Sequence, residues 1–159
     1  MVMAIAFLIG ILSSGAVADW LGRRGVDLLT VMLGFLAMFF VSELAIVLEL
    51  TSITLPMWFL FGMFGQVAVL AYPWLSSYYG TALSGRANTA VNLLLFLTAF
   101  AVQYAIGAII DLFPSTADGY SPQGYRWGFG VFLALQLLSL IWYLSGRRAL
   151  LAARRASAD

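Results

Sequence analysis

The chain has 159 residues, 63% of them apolar and only 9% charged, with a net charge of +1. Soluble domains carry roughly 45–50% apolar and about 25% charged residues, and a water-soluble globule of this size has nowhere to hide so much hydrocarbon. A soluble enzyme, a nucleic-acid binder and a disordered tail are therefore excluded, and the lipid bilayer is the expected surrounding. There is no Cys and no His, which removes thiol nucleophiles, thiolate metal sites and the usual general base. No metal and no cofactor is expected.

A spanning helix takes roughly 20 apolar residues, and α-helices satisfy their own backbone in lipid. The hydropathy predicts an all-α membrane protein with five transmembrane helices, over residues 2–18, 28–48, 53–75, 89–110 and 128–145. Residues 1–146 form the bundle and 147–159 a basic cytoplasmic tail. The breaks are polar or rich in Gly and Pro, as turns are. Residues 20–25 hold Gly22, Arg23, Arg24 and Gly25; residues 49–52 read Glu-Leu-Thr-Ser; residues 76–86 hold Gly80 and Gly85; residues 111–127 hold Pro114, Gly119, Pro122 and Gly124. Asp27, Asp111 and Asp118 fall at interfaces or in loops, where their carboxylates stay hydrated, and Ser84 is placed to cap the start of the fourth span.

Five spans put alternate loops on opposite sides. One side collects Arg23, Arg24, Arg86, Arg147, Arg148, Arg154 and Arg155; the other has only Arg126. This split puts the N-terminus outside and the C-terminus in the cytoplasm of an inner (plasma) membrane. Ala16-Val17-Ala18 before Asp19 looks like a signal-peptidase site. However, the first ten residues carry no Lys or Arg, and cleavage there would invert the charge split.

Polar residues inside spans usually face the bundle or a cavity. Gln66 sits near the centre of the third span, with Gly62 four residues before it and Pro73 seven after. On the fourth span Asn92 and Gln103 share one face about 16 Å apart along the axis, and Asn88 extends that stripe. It lines a water-filled path or glues the helix to a neighbour. Glu43 is the one carboxylate well inside a span, a position that raises proton coupling against a snorkelling or hydrogen-bonded structural role. Gln136 in the last span packs against a neighbour. Enzyme chemistry lacks its parts: there is one deep carboxylate, no Lys, and no Gly-rich phosphate loop.

Residues 15–24 read Gly-x-x-x-Asp-x-x-Gly-Arg-Arg between two spans. Physically, Gly15 lets another helix come close, and Asp19 can meet a helix N-terminus or an Arg. Gly22 permits a turn, and Arg23 and Arg24 anchor the loop at the anionic inner leaflet. The pattern resembles the cytoplasmic loop signature of the major facilitator superfamily, found between helices two and three and, more weakly, between helices eight and nine. The segment Gly85-Arg86-Ala87-Asn88-Thr89 leading to Asn92 is similar to the entry into that family's eleventh helix. Residues 124–129, followed by Leu137-Leu138-Ser139-Leu140, look like the approach to its last helix. The resemblance is therefore to the C-terminal half, helices eight to twelve.

The resemblance implies secondary transport of a small solute by alternating access, with the N-terminal bundle of the same transporter as the missing partner and this chain inactive alone. It implies Gln66, Asn92 and Gln103 as cavity groups, and Gly15, Asp19, Gly22, Arg23 and Arg24 as the elements that lock and release the cytoplasmic face. It also puts Glu43 on a peripheral helix. Substrate and coupling ion stay open. The reading of another class is a non-transporting multi-span membrane subunit or assembly protein.

Overall fold

The structure, a computed structural model, describes residues 1–115 and 119–156, with side chains as far as Arg147. The expectations for Asp118, for the side chains of Arg148, Arg154 and Arg155, and for the tail beyond residue 156 lie outside the described residues. Most of the described residues are helical: α1 (Val2–Gly22), α2 (Leu28–Val47), a 3-10 turn (Thr51–Ile53), α3 (Thr54–Phe64), a 3-10 segment (Gly65–Leu70), α4 (Ala71–Ile110) and α5 (Pro122–Ala156). No strand occurs among the described residues. Among the described residues four stretches are long and apolar enough to cross a membrane: Val2–Gly22, Leu28–Val47, Thr51–Ile110 and Pro122–Arg147.

The third of these is 60 residues long, and it folds back on itself. Gly80 adopts φ 71° and ψ 173° inside α4, a conformation open to glycine and strained for other residues. On either side of it, Tyr72 Oη donates to Asn92 Oδ1 at 2.8 Å and Asn88 Nδ2 donates to Ser76 Oγ at 3.2 Å. In a straight helix Tyr72 and Asn92 would lie about 30 Å apart. The two arms, 71–79 and 81–110, are thus an antiparallel hairpin closed by one residue. Residues 76–86, expected as a loop, are helical up to that joint because their hydroxyls turn inward. Ser77 donates to the Trp74 carbonyl at 2.7 Å and Ser84 to the Thr81 carbonyl at 3.1 Å. Ser84 therefore lies within the first turn of the long arm and is not its cap.

Two helix ends use the same device. After α1 the Val26 N–H bonds the Leu21 carbonyl at 3.1 Å and the Gly25 N–H bonds that of Gly22 at 3.0 Å, with Gly25 at φ 84°. This is a Schellman ending, in which the left-handed residue lies just beyond the helix. The turning residue is Gly25, and Gly22 remains in α1. After α2 the same pair of bonds runs from Leu50 to Ala45 and from Glu49 to Ile46. There Glu49 holds φ 54°, a left-handed conformation that a side chain resists.

The helical path between α3 and α4 tightens over Gly65–Leu70. Pro73 lies just beyond. It has no N–H to give the Val69 carbonyl, and its ring crowds that carbonyl, so a run of shorter-range bonds fits there better than an α-helix does.

Small residues set the closest packing. Ala6, Gly10 and Ser14 form a buried stripe on α1, and a Cβ on Gly10 would run into the Met63 carbonyl oxygen of α3. In return, a Cβ on Gly62 would come within 3.0 Å of the Ala6 Cβ. At the far side Gly124 and Gly128 of α5 sit against Ile110 and Ile106 of α4. Both are close-approach stripes of small residues four apart. Between them, Val31 and Phe35 of α2 and Leu70 form a buried cluster that also gathers Val17, Leu21, Val26 and Phe64. The outer face of the 81–110 arm is apolar and exposed, with Leu93, Leu94, Phe96, Leu97, Phe100 and Tyr104, as a lipid-facing surface is.

Candidate functional site

Asp19, in the last turn of α1, and Arg23 and Arg24, just after it, are exposed. The Arg24 guanidinium stacks over the Trp20 ring at 3.7 Å, a cation–π contact. A Cβ at Gly15 or Gly22 would meet nothing within 4 Å, so within this chain neither glycine receives a neighbouring helix. Asp27 is the N-cap of α2: its Oδ1 accepts from the Thr30 N–H at 2.8 Å and its Oδ2 from the Thr30 hydroxyl at 2.6 Å. Those two bonds, with the Arg147 charge nearby, hold its carboxyl below the usual carboxylate range. The spacing Asp27-x-x-Thr30 carries that capping signal openly, and the sequence reading passed over it.

The three amides expected at a cavity are placed apart. Gln66 is half-buried in the 3-10 segment. Asn92 is bonded to Tyr72 across the α4 hairpin, as Asn88 is to Ser76. The Asn88–Asn92 half of the polar stripe thus joins the two arms. Gln103 lies exposed farther along the same arm.

The strongest polar feature lies between α2 and α5. Glu43, the carboxylate well inside a span, is only 2% exposed. Its side chain is hydrogen-bonded to Gln136 of α5. Glu43 Oε2 and Gln136 Oε1 are both buried and meet no donor. Around them Phe40, Ser42 and Ala45 of α2 and Leu133 of α5 are buried. Ser42 turns its hydroxyl back to the Phe39 carbonyl at 2.7 Å, so it offers Glu43 nothing. Hydropathy marks Glu43 as intramembrane. It does not say that Gln136, some ninety residues on, faces it.

Beside this pair runs a cavity of about 690 Å³ between α2, the 3-10 segment, α4 and α5. It begins at Leu29, in the first turn of α2, and reaches Phe39 and Phe40, one turn short of Glu43. On α5 its wall runs from Tyr143 through Ser139 and Gln136 to Phe132, and Thr98 of α4 adds a hydroxyl. The 3-10 segment contributes Gly65, Val67 and Ala68. A mostly apolar space with a few converging polar groups has the makeup of a small-molecule site, and its volume lies in the usual range of roughly 300–1,000 Å³. Gln66, Asn92 and Gln103 are not among the residues lining it. A second space of about 590 Å³ lies at the opposite end of the helices, where Trp58, Tyr120, Tyr125 and Phe129 meet Glu49 and Arg126.

No group of three or more acidic residues that would hold a metal ion is found among the described residues. No family model, curated protein or solved structure matches the chain.

Proposed function

We propose that this chain crosses an inner (plasma) membrane five times, with the N-terminus outside, and forms the C-terminal part of a major facilitator transporter that moves a small solute by alternating access. The five spans are α1, α2, α3 with the 3-10 segment and the short arm of α4, the long arm of α4, and α5. The observation that carries the reading is the 690 Å³ cavity. It starts beside the arginine-rich ends of α1 and α5 and stops near mid-membrane at Gln136, the depth at which such transporters bind their solutes. Its wall includes the Gly65–Leu70 segment, where a span departs from α-geometry. A mid-helix stretch of this kind often marks a hinge.

In this reading the bundle works against a second bundle of the same fold, and the Asp19, Arg23 and Arg24 loop locks and releases the cytoplasmic face. Glu43, buried beside the cavity, is the group available for proton coupling. Gln66 and Gln103 are the polar positions left to face the second bundle.

The chain has no cysteine, so single cysteines report accessibility directly. Ser139→Cys and Thr98→Cys, which line the cavity, should react with a membrane-impermeant thiol reagent added on the cytoplasmic side. Leu97→Cys, on the exposed apolar face, should stay silent. Silence of both cavity cysteines from either side would leave the space dry and the transport reading without its pathway, favouring a non-transporting membrane subunit.

A further inference from the structure

The Glu43–Gln136 pair is out of balance. It holds three side-chain oxygens and one amide nitrogen, and the amide serves Glu43. Glu43 Oε2 and Gln136 Oε1 face no donor. When ionised, the Glu43 carboxylate adds a negative charge in hydrocarbon surroundings, where burial is costly unless a cation or donors meet it. Among the described residues the chain supplies one donor, the Gln136 amide, and no cation. It has no Lys or His, and no arginine lies on α2. On α5 the arginines nearest Gln136 in sequence are Arg126 and Arg147, about 15 Å or more away along the helix. Two orphan acceptors, one of them on a group that can carry a negative charge, suit a positive group with several N–H bonds.

The cavity provides the way in and the room for the remainder of such a molecule. Gln136 borders it, and Phe39, Phe40, Phe132 and Tyr143 are on its wall. Aromatic faces attract cations as well as burying hydrocarbon. We propose that the Glu43–Gln136 pair recognises the head of a lipophilic ammonium compound, a primary or secondary amine in its protonated form, whose apolar body fills the aromatic-walled cavity. On binding, the Gln136 amide turns away from Glu43. The ammonium takes its place on the carboxylate, and Gln136 Oε1 accepts a further N–H. A quaternary ammonium brings the charge without the donors and fits this pair poorly; a neutral alcohol brings one donor without the charge.

The proposal rests on the cavity being a solute site, and it is tested apart from transport. Radiolabelled 2-phenylethylammonium is titrated into the purified full chain in detergent, with its trimethylammonium analogue and 2-phenylethanol as comparisons. The ammonium should bind saturably, with the other two at least ten-fold weaker. Glu43→Gln should weaken ammonium binding at least ten-fold while the thermal midpoint of unfolding stays at or above that of the unmodified chain, which separates lost recognition from lost fold. Gln136→Leu should weaken it as well. Equal binding by Glu43→Gln, or by the quaternary or neutral analogue, overturns the assignment. If Ser139→Cys is accessible yet the ammonium does not bind, the pathway stands and this substrate class falls. If the ammonium binds through Glu43 while the cavity cysteines stay silent, the site stands and the pathway falls.

Discussion

The α1–α3 seam and the α2–α5 seam are both helix contacts within one small bundle, and they are built by opposite means. At the first, Ala6, Gly10 and Ser14 bring one helix against the backbone of another, and a Cβ at Gly10 has no room. At the second, a carboxylate and an amide meet beside a 690 Å³ space, and two polar atoms are left without donors. Close backbone packing has one good arrangement, because nothing in it can give. A polar pair with spare acceptors next to open volume has several arrangements, and a ligand can choose among them. The contrast separates the part of the bundle that holds shape from the part that can respond.

The sharpest way to break the first seam is Gly10→Leu. Overpacking against the α3 backbone should cost about 3 kcal/mol or more, seen as a large fall in the thermal midpoint and in the yield of monodisperse protein. Gly15→Leu, five residues on and facing open space, should leave both unchanged. This pair of variants also separates packing from the loop motif, since Gly15 belongs to the motif and Gly10 does not. At the second seam Glu43→Gln should raise stability by about 1 kcal/mol, because a buried charge is removed while a hydrogen-bonding amide remains. A fall instead would mean that the carboxylate holds the two helices together. A smaller effect is expected within α4, where Tyr72→Phe removes one hydrogen bond in the apolar region and should cost about 0.6 kcal/mol, measured as a shift in the detergent unfolding curve.

The smallest effect concerns pH. The Asp27 carboxyl is held below its ordinary range, chiefly by its bonds to Thr30, so its contribution is present above the unfolded carboxylate's value of about 4 and fades as the pH falls through the lower folded value. Asp27→Asn keeps the capping oxygen and should flatten that part of the stability profile.

Much of the bundle was legible in composition. The hydropathy located the apolar stretches well, because in lipid every spanning residue must be tolerable to hydrocarbon or covered by a neighbour. A break at residues 76–86 was legible, but not that it narrows to the single joint at Gly80, since Ser76, Ser77, Tyr78 and Tyr79 read as loop. They are helical because hydroxyls can return to their own helix backbone, as that of Ser77 does, and a polarity scale takes no account of that. The Gly22 reading failed by three residues for a local reason: Gly22 closes α1, and the left-handed position of its Schellman ending falls at Gly25. The small-residue spacings Ala6-Gly10-Ser14 and Gly124-Gly128 were open to view, but spacing alone does not say which helix they receive. The same gap hid the main polar contact. Glu43 and Gln136 were each recognised as polar and within a span, but the partner of a buried group on another helix is fixed by bundle geometry, which one sequence does not contain.

Gly80 has a consequence for how the molecule is made. A joint of one residue leaves no hydrophilic connector between the two arms it unites, so nothing remains in water to separate their delivery into lipid. Residues 54–110 are then expected to partition as a paired unit, with Asn88 and Asn92 already hydrogen-bonded to Ser76 and Tyr72. Lengthening that joint would uncouple the pair and present bare amides to the hydrocarbon during biosynthesis.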